Sequence, residues 1–317
     1  MASAAHRVRV KLASGPSALA MVASRSVRRS SDILTGSERL LPAFLIVGAQ
    51  RCGTTSLYQA LSRHPAVIRS PLHREVHYFD NHYDRGLAWY RSHFPTRSRA
   101  ERVRRTTGMD AVTFESSPFY LFHPLAIARI AEDLPDARLI VMVRDPIERA
   151  VSAHAHEVAL GRETEPLERA LELEPTRIAG EWQRMLADPT YTSVHLQHHA
   201  YVARGLYADQ LDRAARFVAR DQMLVIDAGD FFATPAPVYD RVLAFLGLEF
   251  TGYPTFARHN ARATTTMPEH LRATLTERFE ESDQRLAEWL GAVPSWRRGS
   301  SAIYPPLPSV HLDGAER

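Results

Sequence analysis

The segment Phe44-Leu-Ile-Val-Gly-Ala-Gln-Arg-Cys-Gly-Thr-Thr-Ser-Leu57 carries the residue types that hold a phosphate-like anion. An apolar strand leads into a turn of small residues and then into a helix start, whose unpaired first-turn amides and positive dipole end favour negative charge. Gly53 permits close backbone approach, Arg51 brings a cation, and the hydroxyls of Thr54, Thr55 and Ser56 add donors. An ATP-binding loop of the form G-x-x-x-x-G-K-S/T needs lysine after its second glycine, and this chain has Thr54 there. The loop therefore serves phosphate chemistry of another kind.

A second segment, Leu139-Ile-Val-Met-Val-Arg-Asp-Pro-Ile-Glu-Arg-Ala-Val-Ser152, delivers Arg144 at the carboxyl end of an apolar strand. Pro146 opens a helix on which Ser152 lies nearly two turns in, so Arg144 and Ser152 can face one anion. Lys11 is the single lysine among 39 basic residues, so any cation that meets a phosphate in the folded region is an arginine.

The elements that position these residues are short apolar strands, at Phe44–Val47, Val112–Phe114, Leu139–Val143 and Met223–Ile226, alternating with helices. Helical spacing runs through Thr54–Ser62, Pro124–Glu132, Pro146–Leu160, Tyr207–Ala219, Pro237–Leu246 and Pro268–Leu290. Alternation of this kind predicts an α/β fold, a single domain with a central, mainly parallel sheet flanked by helices and with ligands at the carboxyl ends of the strands. The stripe Leu271, Leu275, Phe279, Leu286 and Leu290 is a packing surface.

At 317 residues the chain can bury a substantial core, and the formal net charge of +3 is weak evidence for a polyanion partner because much of the excess lies near the amino terminus. Residues 1–40, rich in Ala and Ser with Arg7, Arg9, Lys11, Arg25, Arg28 and Arg29, read as a disordered basic arm. The domain is expected over 41–297, with a tail at 298–317. Gly15, Pro16 and Ser17 interrupt the apolar stretch from Leu12 to Ser24, which argues against a signal peptide, and no run spans a bilayer. The single cysteine, Cys52, excludes an internal disulfide framework and cysteine-based zinc, and fits a reducing cytoplasm. His195, His198 and His199 have helical spacing, but no H-E-x-x-H pattern accompanies them, and no metal is predicted.

Together these residues resemble the PAPS-dependent sulfotransferases, PAPS being 3′-phosphoadenosine 5′-phosphosulfate, nearest the branch that sulfates heparan-type glycans and its bacterial relatives. Gln50-Arg-Cys-Gly-Thr-Thr-Ser-Leu57 is similar to the family's 5′-phosphosulfate loop, and Arg144-Asp-Pro-x-x-Arg149-x-x-Ser152 to its 3′-phosphate site. Arg74-Glu-Val-His-Tyr-Phe-Asp80 resembles the glycan branch's segment that carries the catalytic glutamate, and Glu115-Ser-Ser-Pro-Phe-Tyr120 its next loop. The resemblance covers roughly Phe44 to Gly291 and implies a P-loop-like sulfotransferase fold. It places Arg51, Cys52, Gly53, Thr54, Thr55, Ser56, Arg144 and Ser152 at the cosubstrate, with Arg262 in a loop folded over the nucleotide.

In-line displacement needs stabilisation of the departing phosphate and removal of the hydroxyl proton. Glu75 is the expected base, with burial beside Tyr78 and Phe79 expected to raise its pKa; the competing role is an ion pair with Arg74 or Arg51. His77, two residues on, is the reserve base. Arg51 stands where the family usually has lysine; a guanidinium keeps the charge but stays ionised, so it stabilises the leaving group without protonating it. Ser116 stands where the glycan branch commonly has lysine, which opens the acceptor range to a neutral sugar, a glycolipid or a sugar-decorated small molecule. The expected activity is sulfuryl transfer from PAPS to a hydroxyl of such an acceptor, with no nucleic-acid partner. Two alternatives remain at this level: a nucleotide kinase or NTPase, and a nucleotide-binding protein without catalysis.

Overall fold

The computed structural model of the chain describes residues 38–257 and 267–299. β1 (Phe44–Gly48) is buried along its whole length, and so is β4 (Arg138–Val143) from Leu139 onward. Strands apolar on both faces belong inside a parallel sheet covered by helices. With β2 (Val67–Arg69), β3 (Val112–Ser116) and β5 (Met223–Asp227) they form one sheet in the order β2-β3-β1-β4-β5. Every neighbouring pair is parallel, with Phe44 opposite Phe114 on one side and Arg138 on the other, and Leu139 opposite Met223. The fold is a single α/β domain with a wholly parallel five-stranded sheet flanked by helices.

Strand order decides where a ligand goes. The chain leaves β1 toward the β2 edge and leaves β4 toward the β5 edge, so the neighbours β1 and β4 diverge at their carboxyl ends. That divergence opens the crevice in which α/β sheets bind ligands. The turns carrying Arg51 and Arg144 both leave from it.

The four strands expected from the sequence are present, and the sheet adds β2 at one edge. Only Val67 and Ile68 of β2 are buried, a run too short to show periodicity. The helix beginning at Tyr207 ends at Ala214, not Ala219, because the backbone tightens: Phe217 N–H donates to Ala214 O at 3.0 Å. Val218 returns to the core from this turn, which is why the apolar spacing mimics a longer helix. Helices Arg97–Thr107, Leu167–Ile178 and Glu181–Ala187 go beyond the sequence expectation; the first has no buried residue. Leu275, Phe279 and Leu286 of the helix Glu269–Leu290 are buried, as the stripe predicts. Gly205 lets this helix approach, since a Cβ there would stand 2.8 Å from Phe279 Cε1 and 2.9 Å from Pro146 Cβ.

Arg39 and Leu40, placed in the arm by sequence, are held against Pro95 and Thr96, with Leu40 N–H donating to Pro95 O at 2.9 Å. The rest of the expected arm, 1–37, lies outside the described residues, as do most of the expected tail and Arg262. Arg298, expected in that tail, pairs with both carboxylate oxygens of Asp230 at 2.5 and 2.7 Å. Among the described residues no helix is long and apolar enough to cross a membrane.

Candidate active site

The first loop is shaped by close approach. A Cβ on Gly48 would lie 2.7 Å from Leu121 Cβ, and one on Gly53, at φ +86°, would lie 2.9 Å from Phe232 Cζ. Gly53 caps the helix Thr54–Leu61 without a side-chain hydrogen bond, which leaves that helix start without a side-chain acceptor of its own. The Cys52 side chain turns inward: it is fully buried, its thiol stands 3.5 Å from Tyr207 Oη, and burial pushes its pKa up. Its amide donates to Ala49 O at 3.2 Å, so Cys52 builds the turn. The hydroxyl-bearing Thr54 and Ser56 are buried at the helix start.

The second loop is locked onto the first. Asp145 caps the helix Pro146–Ala159 by accepting from the amides of Ile147 at 2.8 Å and Glu148 at 3.2 Å. This fixes Arg144 on one side and presents Ser152 on the other. Arg51 Nε donates to Ser152 Oγ at 3.1 Å across 101 positions of sequence, and Arg144 Nη1 donates to Arg51 O at 3.4 Å. Tyr207 Oη holds Arg144 O at 3.0 Å. Three expected cosubstrate contacts are thus brought together at the crevice.

The segment Arg74–Asp80 is hung from β3 and its exit. Ser116 N–H donates to Arg74 O, Val76 N–H to Glu115 Oε2 at 3.1 Å, His77 N–H to Ser117 Oγ at 3.3 Å, and Tyr78 N–H to Tyr120 Oη at 2.9 Å. Glu115 is fully buried and also accepts from Tyr90 Oη at 2.7 Å, Ser117 Oγ at 3.0 Å and Tyr120 Oη at 3.1 Å. Burial pushes its pKa up to about 7 against those donors. Glu115 and Tyr120 are therefore the clamp that positions the segment and do not line an open pocket.

Along this clamp, Glu75 meets Arg74 in an ion pair and faces His77 Nε2 at 3.3 Å, while His77 Nδ1 stands 2.8 Å from Asp80 Oδ2. Arg74 Nη1 reaches back to Thr55 Oγ1 at 2.7 Å, which ties the carboxylate to the first loop. Glu75 is one-third exposed, whereas the Asp80 side chain is fully buried. Arg51 (φ 70°) and His77 (φ 54°) are the non-glycine residues with positive φ among those described, and both lie here. Such conformations cost of order 1–3 kcal/mol and gather where function requires them.

The charges correct two expectations. Burial raises the Glu75 pKa, but the hydrogen bond from His77 and the charge of Arg74 outweigh it and hold Glu75 below the ordinary carboxylate range. Tyr78 and Phe79, expected beside Glu75, turn into the core instead. For His77, burial opposes the charge, yet Asp80 and Glu75 raise the pKa to about 10. At neutral pH His77 is an imidazolium, a donor to Glu75 and not a reserve base.

Three contributors carry no site role in the sequence reading, although Arg74 enters it as the competing ion-pair partner of Glu75, a pairing the structure contains. Asp80 sits three residues after His77, a spacing that points at it once the turn is known. Arg74 is partly visible as the neighbour of Glu75, but its bond to Thr55 is not. Arg204 is buried and donates to Gln50 Oε1, and its Nη2 to Gln197 O at 2.6 Å, which braces the first loop from behind. The segment from Arg204 therefore supports the loop before its helix starts at Tyr207. Ser116 is buried as well. His195 and His199 face each other through Nδ1 atoms 3.0 Å apart, and His198 Nδ1 lies 3.2 Å from Glu157 Oε2.

Comparison with known proteins gives a consistent result. A family model described as "Sulfotransferase domain" matches residues 41–296. Heparan sulfate glucosamine 3-O-sulfotransferase 3B1 of Homo sapiens is 33% identical over 220 residues, covering 69% of this chain and 50% of that protein. The bifunctional heparan sulfate N-deacetylase/N-sulfotransferase 4 of Mus musculus is 32% identical over 213 residues, 66% of this chain and 22% of its own length. The match thus spans half or less of these curated relatives. The crystal structure of a sulfotransferase from Alicyclobacillus acidocaldarius superposes with a TM-score of 0.60 at 31% identity, covering 82% of this chain and 100% of that one.

Proposed function

The chain belongs to the sulfotransferase domain family, and from that premise we propose that it transfers a sulfuryl group from PAPS to a hydroxyl of a carbohydrate or sugar-bearing acceptor. The observation that carries this reading is the 3.1 Å bond from Arg51 to Ser152, which makes one anion site of the two loops. The residues present suit the donor: an uncapped helix start after Gly53, and arginines 51 and 144 as its cations. Bound there, PAPS supplies an activated sulfuryl group on a phosphate leaving group.

The rest of the chemistry belongs to the side chains. Glu75, ionised at neutral pH, accepts the acceptor hydroxyl's proton as the oxygen–sulfur bond forms. His77, held by Asp80, donates to Glu75 and fixes its orientation. Arg51 stays charged and stabilises the departing phosphate electrostatically, while the bond between sulfur and the bridging phosphate oxygen breaks to leave adenosine 3′,5′-bisphosphate. Carbohydrate as acceptor is supported by the names of the relatives above, which act on heparan sulfate.

The test is transfer of label from PAPS to a panel of glycans and glycosides by the wild type and Glu75→Gln. Transfer that falls at least about 100-fold in the variant, with adenosine 3′,5′-bisphosphate binding retained, supports the reading. Undiminished transfer removes Glu75 from the role of base; binding without transfer by the wild type to any acceptor favours a nucleotide-binding protein.

A further inference from the structure

Two amide side chains meet beside the proposed base. Gln197 Nε2 donates to Asn81 Oδ1 at 2.6 Å across 116 positions of sequence, and both residues are half-buried. Asn81 ends the helix Tyr78–Asn81, whose N-cap is His77, and its backbone amide donates to His77 O at 3.2 Å. Residues four apart share a helix face, and each Cβ tilts toward the amino-terminal end, so the Asn81 side chain leans toward His77. His77 in turn faces Glu75 Oε2 at 3.3 Å. The amide pair therefore stands about one helical turn from the residue that orients the carboxylate.

Gln197 is held from the other side. Its helix, Val194–His198, buries Leu196 against Phe119 and Phe122. The Arg204 guanidinium lies over the same two rings, 4.8 and 5.3 Å from their centroids, and donates to the carbonyls of Leu196 and Gln197 as well as to Gln50 Oε1. One buried guanidinium thus sets the position of Gln197 together with that of the residue before Arg51, so the amide pair is built into the same frame as the donor loop.

The bond between the two amides uses one donor and one acceptor. Gln197 Oε1, its second N–H and the Asn81 NH2 group have no protein partner among the described residues. Donors and an acceptor side by side on two planar groups match a pair of adjacent hydroxyls, each of which both donates and accepts. An anionic group is matched poorly there. Arg74, Glu75, His77 and Asp80 are bonded to one another in a chain of two cations and two anions, so a sulfate or uronate brought against this wall meets cations already paired. We propose that Asn81 and Gln197 form a subsite that takes adjacent hydroxyls of a neutral sugar beside the hydroxyl facing Glu75. Its role as an acceptor subsite rests on sulfuryl transfer by this chain, whereas sugar binding there does not and is measured separately.

The experiment titrates cellobiose, maltose, lactose and a heparan sulfate disaccharide into the full chain saturated with adenosine 3′,5′-bisphosphate, with binding read by saturation-transfer NMR. Expected is binding of a neutral disaccharide in preference to the heparan sulfate one, weakened at least about fivefold by Gln197→Ala and by Asn81→Ala, with affinity for the bisphosphate unchanged. Among monodeoxy analogues of the bound disaccharide, one should lose a similar factor on wild type and little more on Gln197→Ala, a coupling that a latch between the two segments does not produce. Undiminished binding by both variants, the same loss on wild type and variant for every deoxy analogue, preference for the heparan sulfate disaccharide, or no saccharide bound by wild type overturns the proposal. Transfer of label from PAPS to the bound disaccharide is scored apart: binding that the two substitutions weaken, without transfer by wild type, upholds the subsite and removes sulfuryl transfer.

Discussion

Asp80→Asn separates the charge on His77 from the fold around it. Asp80 accepts from His77 Nδ1 at 2.8 Å and from the Asn81 amide at 2.6 Å. Asparagine keeps the shape, and its carbonyl can keep the amide contact, but its NH2 group meets Nδ1 as a donor and favours the neutral ring. His77 rises from 6.5 to about 10 on the strength of two carboxylates, Asp80 and Glu75, working against burial. Each pKa unit corresponds to about 1.4 kcal/mol. With a third of the imidazole exposed, solvent screening reduces the total, and about half of what remains belongs to Asp80, roughly 2 kcal/mol. The His77 midpoint should fall by at least about one unit, read from its ring resonances in an NMR titration. The raised folded pKa means that this stabilisation is complete below pH about 6.5 and is lost as pH rises through about 10, so wild type loses stability across that alkaline window and the variant loses less. Turnover should drop about tenfold or more because Glu75 loses its oriented partner, with cosubstrate affinity unchanged. A His77 midpoint that does not move would refute the assignment of its charge to Asp80.

The clamp and the donor loop give further tests. Glu115→Gln puts an amide among four donors and should destabilise by about 1–3 kcal/mol in denaturant titration. Its folded pKa, raised to about 7, makes wild-type stability from this group complete below pH about 4.5 and lost as pH rises through 7; the variant should lack that slope. Gly53→Ala forces a Cβ to 2.9 Å from Phe232 at φ +86° and should lower stability by about 1–3 kcal/mol, with cosubstrate binding weakened more than the melting temperature implies. Retained affinity in that variant would mean that the backbone at Gly53 does not approach the ligand.

The two loops proposed to hold the anion are legible in the sequence because each is local: strand, turn and helix start follow one another within 14 residues, and Asp145-Pro146 fixes the second helix start by itself. The parallel sheet followed from the alternation of strands and helices. What escaped depends on contacts distant in sequence. Arg74 meets Thr55 across 19 positions and Arg204 meets Gln50 across 154, and no spacing rule reports either. The pKa of Glu75 was misjudged because His77 adopts a left-handed turn, which sends Tyr78 and Phe79 into the core and leaves the carboxylate among charges. The inward turn of the Cys52 side chain toward Tyr207 likewise has no local signature.

The joint anion site formed by Arg51, Arg144 and Ser152 is tested most directly by thermal unfolding with adenosine 3′,5′-bisphosphate, against 5′-AMP and ATP with magnesium. At about one hundred times its dissociation constant the bisphosphate should add roughly 2.7 kcal/mol to wild type. That stabilisation should fall sharply in Arg144→Ala and Ser152→Ala, with little response to the two controls. Stabilisation by ATP with magnesium alone, or a bisphosphate response that survives both substitutions, would contradict the account.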